Sequence, residues 1–241
     1  MAACNGAAQS SASVPGLTAT ATPSPTLQPT ASPTVQPAGQ LEKVGQYVYA
    51  YKSSPTAAFV HYQVIVVVRN AGTGWAQQLP RQSDFTVLNP SGGATVSGPF
   101  TYAFPAFIAP GDVGYLLEDA LIQDGITEAD FASVSAHVSV GLQALGAEGA
   151  TFTVTDVAWR KASLSDGLIA SGFVAATQDV TKATVAVFCL DVAGVPLGST
   201  HTDPLNLTGA AKKDFATVSE TLPLKASQCV TTLGLAEETG A

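Results

Sequence analysis

Phe85-Thr86-Val87-Leu88-Asn89-Pro90-Ser91-Gly92-Gly93 reads as a strand running into a tight turn. Aromatic and β-branched residues favour the extended chain, and the Asn/Pro/Ser/Gly cluster then reverses it. The plan returns as Phe188-Cys189-Leu190-Asp191-Val192-Ala193-Gly194: again a Phe-centred strand, an Asx residue and a Gly-containing hairpin turn.

On either side of the first hairpin, short apolar segments alternate with turn clusters. Strands are expected over 41–51, where Tyr47, Tyr49 and Tyr51 alternate with Val48 and Ala50, and over 61–69, which is almost continuously apolar. Others follow at 84–88, 94–104, 113–118 and 133–140, separated by Asn70–Gly74, Asn89–Gly93 and Ala109–Asp112. Around the second hairpin the series is 151–161, 168–176, 183–191, 197–206, 215–220 and 229–235. The two series correspond: a polar turn (Asn70 to Gly74; Ala176 to Asp179), the Phe-centred hairpin, a further turn (Ala109 to Asp112; Leu207 to Ala210), a short helical turn (Thr127 to Phe131; Leu224 to Gln228) and a closing strand. The expected fold is all-β: two tandem immunoglobulin-like β-sandwiches over residues 41–147 and 148–241, joined near Gly146 to Gly149, after an N-terminal segment of residues 1–40.

The hairpins resemble the FxLyD module, an immunoglobulin-like sandwich of bacterial lipoproteins and cell-surface proteins. The motif is Phe85-Thr86-Val87-Leu88-Asn89 in the first copy and Phe188-Cys189-Leu190-Asp191, one residue short, in the second. The resemblance implies an architecture and a surface location, and carries no enzymatic activity.

The N-terminal segment has a different texture. From Asn5 to Gln40 there is no charged and no aromatic residue, and six of the fifteen prolines fall there among Thr, Ser, Ala and Gln. Such a composition cannot bury enough apolar surface to offset its ordering entropy, so a disordered spacer is expected. An octapeptide repeats imperfectly as Ser24–Ala31 and Ser32–Gly39. At about 3.1 Å per residue, an extended proline-rich chain of this length reaches on the order of 100 Å. Met1-Ala2-Ala3-Cys4 resembles the end of a bacterial lipobox, with Met where Leu is usual. The resemblance implies a lipidated Cys4, a membrane partner through that anchor, and a location on the extracellular face of the bacterial membrane. The basic and apolar regions of a signal peptide are expected in an upstream extension of the reading frame.

Cys189 and Cys229 remain as an even pair. In an exported protein they are expected to be bridged, closing a loop of about 40 residues; the alternative is two buried thiols.

The net charge of −8, with ten Lys and Arg scattered along the chain, argues against a nucleic-acid partner. Ser-nucleophile, zinc-protease and phosphate-loop motifs are missing, so no catalytic residue, cofactor or metal is assigned. His137 alternates with serines on the solvent face of its strand, and His61 is conceivable as its neighbour in a surface pair. The acidic residues Asp112, Glu118, Asp119, Asp124, Glu128 and Asp130 suit either a calcium site or a solvated edge, and Thr127 with Asp130 reads as a capping box. Trp75, Phe100, Tyr102, Phe104 and Phe107 form the candidate binding surface. Their rings either stack on a glycan or protein partner, with Trp75 the best placed to do so, or face the tyrosine stripe to fill a core. The expected function is a non-enzymatic, lipid-anchored surface binding or scaffold module with an unknown protein or glycan partner. The alternative is a cell-wall or carbohydrate-binding lipoprotein that uses these aromatics.

Overall fold

Among the described residues every long element is a β-strand, and every strand pairing is antiparallel. The structure, a computed structural model, describes residues 39–52, 56–122, 125–141, 152–161, 168–218 and 228–236. Cys4, the spacer, the Gly146–Gly149 join and most of the second helical turn lie outside these residues.

In the first half the strands are β1 (Leu41–Tyr51), β2 (Val60–Asn70), β3 (Ala76–Gln78), β4 (Asp84–Leu88), β5 (Ala94–Pro99), β6 (Tyr102–Phe104), β7 (Phe107–Ile108), β8 (Val113–Ile122), β9 (Ser133–His137) and β10 (Val140–Gly141). The second half has β11 (Phe152–Lys161), β12 (Leu168–Ala176), β13 (Val180–Leu190), β14 (Pro196–His201), β15 (Leu205–Leu207), β16 (Lys213–Ala216) and β17 (Gln228–Ala236). The segment expected as one strand over 94–104 is broken after Pro99. Phe100 drops into the core there, and the chain resumes as β6.

Each half is a sandwich of the same two three-stranded layers. β1-β2-β8 faces β5-β4-β9 in the first, and β11-β12-β16 faces β14-β13-β17 in the second. The turns repeat as well. Asn89 Oδ1 accepts from the N–H groups of Ser91 (3.0 Å) and Gly93 (2.9 Å), and Asp191 Oδ1 accepts from those of Ala193 (2.8 Å) and Val195 (2.9 Å). Gly92 and Gly194 follow at φ of 85° and 79°, a conformation that suits glycine. Likewise the Asn70 carbonyl accepts from Gly111 N–H (2.8 Å) and the Ala176 carbonyl from Ala210 N–H (2.6 Å).

These turns set the register of the repeat. Counting back from each Asx residue, Val87 corresponds to Cys189 and Phe85 to Val187. Phe188 therefore stands where Thr86 does, on the opposite face of its strand from Phe85. Phe85 packs in the first sandwich, whereas Phe188 leaves its own sandwich core for a different one.

Among the described residues there are three cores. Val60, Tyr62, Val64, Val66 and Val68 turn the even face of β2 onto Phe85, Val87 and Val134. Val174, Ala176, Ala183, Val185, Phe215 and Leu233 fill the second sandwich. Between the sandwiches, Ile65, Val67, Tyr115 and Leu117 meet Ala186, Phe188 and Leu190, with Tyr47, Tyr49 and Tyr102 around them. Tyr115 stacks on Phe188 with ring centroids 4.2 Å apart. This explains the unalternating run Val64–Val68. Both faces of β2 are covered, so apolar residues are needed on both.

β6 carries the join, pairing with β8 on one side and β17 on the other, so the central layers of both sandwiches form one eight-stranded sheet. That sheet bends back at β6 and closes its faces over the middle core. The described residues, Gly39 to Ala236, accordingly group into one compact unit.

Candidate functional site

The middle core ends in a polar cluster. Alternation along β2 puts His61 and Gln63 on the same face as Ile65 and Val67, turned toward the second sandwich. The β2–β8 register sets Asp119 directly opposite Gln63, and β14 brings in Ser199 and His201 from the other sandwich.

Asp119 is the centre, with its side chain only 4% exposed. Its Oδ1 accepts from His61 Nε2, and its Oδ2 lies 3.0 Å from Gln63 Nε2 and 3.5 Å from His201 Nε2. The outer nitrogens are held too: His61 Nδ1 is 2.6 Å from the Tyr51 hydroxyl and His201 Nδ1 is 3.0 Å from the Thr202 carbonyl. Tyr102 lies against the His201 ring, centroids 4.7 Å apart. Burial pushes the Asp119 carboxyl up, but the hydrogen bonds from His201 and His61, together with their charge, outweigh it and hold it below its ordinary value. Its neighbour Glu118 points to the other face of β8. There burial wins, and Thr101 and Arg81 offset the rise only in part.

Two imidazoles and a carboxylate raise the question of a metal. The carboxylate lies between the rings rather than beside them, each ring taking a different oxygen, and no group of three His, Cys, Asp or Glu among the described residues is arranged to hold an ion. The Ser199 hydroxyl is turned to the Gln63 carboxamide at 3.3 Å. What the arrangement does is hold a charge and its protons at the seam between the sandwiches.

The residues singled out in the sequence are dispersed. Phe100 and Phe104 are fully buried, in the first core and the middle core respectively, and Tyr102 stacks on Phe104 at 5.9 Å. The tyrosine stripe and these rings do meet, through Tyr47, Tyr49, Tyr102 and Phe104. Phe107 is half-buried in β7, and Trp75 is the exposed member of the set. His137 is exposed on β9, 3.9 Å from Asp84, and is not beside His61. Nor do the acidic residues converge. Asp119 is buried at the seam, Asp130 closes the capping box with Thr127, and Glu128 accepts from the Lys52 N–H, while Asp124 lies outside the described residues. Cys189 and Cys229 face each other across β13 and β17 and are bridged.

His201 and Ser199 were not singled out in the sequence. They sit in the polar run Ser199-Thr200-His201-Thr202, which has the composition of a solvated strand, yet Ser199, Thr200 and Thr202 are buried. No protein-family model, curated protein or solved structure matches the chain.

Proposed function

We propose that this chain is a non-enzymatic, lipid-anchored protein of the bacterial cell surface that binds or displays a partner through its folded tandem. The Cys189–Cys229 bridge is the observation that supports the reading most, because persistent disulfides belong to oxidising compartments outside the cytosol. Ala2-Ala3-Cys4 supplies an acylation site, and the Pro/Thr-rich stretch behind it supplies a tether. Two acyl chains suffice for stable anchoring, and a spacer with a reach on the order of 100 Å would carry the sandwiches clear of lipid headgroups.

The test is metabolic labelling with a fatty-acid analogue in a bacterial host, using the reading frame extended upstream. The full-length protein takes up label and fractionates with membranes, and Cys4→Ser does neither. Unlabelled full-length protein overturns the proposal.

A further inference from the structure

The hydrogen bonds of His201 require more protons than a neutral imidazole carries. Nδ1 lies 3.0 Å from the Thr202 carbonyl and Nε2 lies 3.5 Å from Asp119 Oδ2, and both of those oxygens only accept. A neutral ring that keeps its bond to Thr202 aims a lone pair at a carboxylate that is 4% exposed, and the other tautomer loses Thr202. Only the imidazolium satisfies both. His61 differs, because it can accept from the Tyr51 hydroxyl at Nδ1 while donating to Asp119 from Nε2, and so is satisfied when neutral.

We propose that His201 is a proton-operated clasp between the two sandwiches, closed when its imidazole is charged and pairs with Asp119. The pair crosses the seam, His201 coming from β14 of the second sandwich and Asp119 from β8 of the first. The acidic groups around it favour the cation. β8 presents Asp119, β6 presents the ring of Tyr102, and Asp203 follows on the same segment as His201. β2 contributes His61, itself engaged with Asp119 and Tyr51, and β13 sets the non-titrating Ala186 opposite His201.

A histidine whose charged form is favoured in the folded state adds stability that is complete below its unfolded value of about 6.5 and is lost as pH rises through its folded value. Deprotonation removes one partner of a buried carboxylate and leaves the middle core in place. The seam therefore loosens without either sandwich unfolding, and a protein with this device responds to the pH of its surroundings.

The reporter is the Ser199 amide, which is hydrogen-bonded across the same seam to Gln63 Oε1 at 2.9 Å. Its protection against hydrogen exchange, corrected for intrinsic rates, is measured in the intact chain at pH 5.5 and pH 8.5, alongside an NMR titration of the His201 ring. Protection is expected to fall about tenfold at the higher pH, the change that one pH unit of displaced titration produces. The ring signal is expected to move with a midpoint above about 6.5. His201→Gln should flatten the dependence and His61→Gln should keep it. Protection that does not change with pH in the wild-type chain overturns the proposal, as does a His201 ring that is already neutral at pH 5.5 or a His201→Gln variant that keeps the wild-type slope. If His201→Gln fails to fold, the wild-type titration and exchange decide alone.

Discussion

Gln63 holds Ser199 by both of its backbone groups, donating from Nε2 to the carbonyl at 2.8 Å and accepting from the N–H at Oε1 at 2.9 Å. A side-chain amide thus does for β14 what a neighbouring strand would do, and satisfies a buried strand edge where two sandwiches meet. Gln46 repeats the device elsewhere, donating to the Val134 carbonyl at 2.5 Å and accepting from the Ala136 N–H at 3.2 Å, which ties the edge of β1 to β9.

Replacing Gln63 by Leu keeps the volume and removes all of these bonds. The Ser199 N–H and C=O are left buried without partners, at a cost of about 1–3 kcal/mol for each such group. We expect Gln63→Leu to lower the free energy of urea unfolding by roughly 2–4 kcal/mol. A loss below about 0.5 kcal/mol, the scale of an ordinary surface substitution, would mean that water replaces the carboxamide.

Each sandwich has its own core, so residues 41–147 and 148–241 are expected to fold separately, each with a cooperative β-type transition. The middle core and the β6–β17 pairing are lost on separation. Each half should therefore melt below the tandem, and mixing the two should restore part of the difference. Calorimetry checks this, and halves that melt at the tandem's temperature would show the seam to be energetically idle.

Gly234 lies where β17 passes β6, and a Cβ there would overlap the Ala103 carbonyl oxygen and the Phe104 ring. Gly234→Ala is expected to destabilise the tandem by about 1–3 kcal/mol, in the range of overpacking. Exchange should rise at the amides of β6 while those of β4 stay protected. A neutral substitution would mean that β6 and β17 separate at little cost.

The bridge between Cys189 and Cys229 closes a loop with a sequence separation of 40 within the second sandwich. Alkylation of the unfolded, unreduced protein should modify neither cysteine. Reduction should cost roughly 4 kcal/mol on the chain-entropy account, lowering the melting temperature of the isolated second half and leaving that of the first unchanged.

Acid acts on the seam from the other side. The Asp119 carboxyl is held below its ordinary value, so its contribution is complete above the unfolded value of about 3.9 and disappears as pH falls through the lower folded value. Unfolding free energy measured from pH 6 down to pH 2 should decline below about pH 4 in the wild-type chain. The decline should be shallower in Asp119→Asn; equal slopes would show that the pairing with His61 and His201 adds nothing.

Local chemistry made much of this protein legible from its residues alone. Strand alternation, turn-forming Asx/Pro/Gly clusters and their recurrence predict an all-β tandem, and the capping box at Thr127 and Asp130 is present as its spacing predicts. These signals are short-range, each written within a few neighbouring residues. Which buried residues serve which core is not written that way. The Phe188 side chain follows from a register set by the Asp191 turn, and the two faces of β2 look alike in sequence because each is covered by a different sandwich. The seam was least legible of all. His61, Asp119 and His201 lie far apart along the chain, and the polar run around Ser199 has the composition of an exposed strand. Only the folding of β14 back onto β2 excludes water from that run and sets the His201 imidazole against a buried carboxylate. Burial of a polar group depends on what covers it, and here the cover comes from the opposite half of the chain.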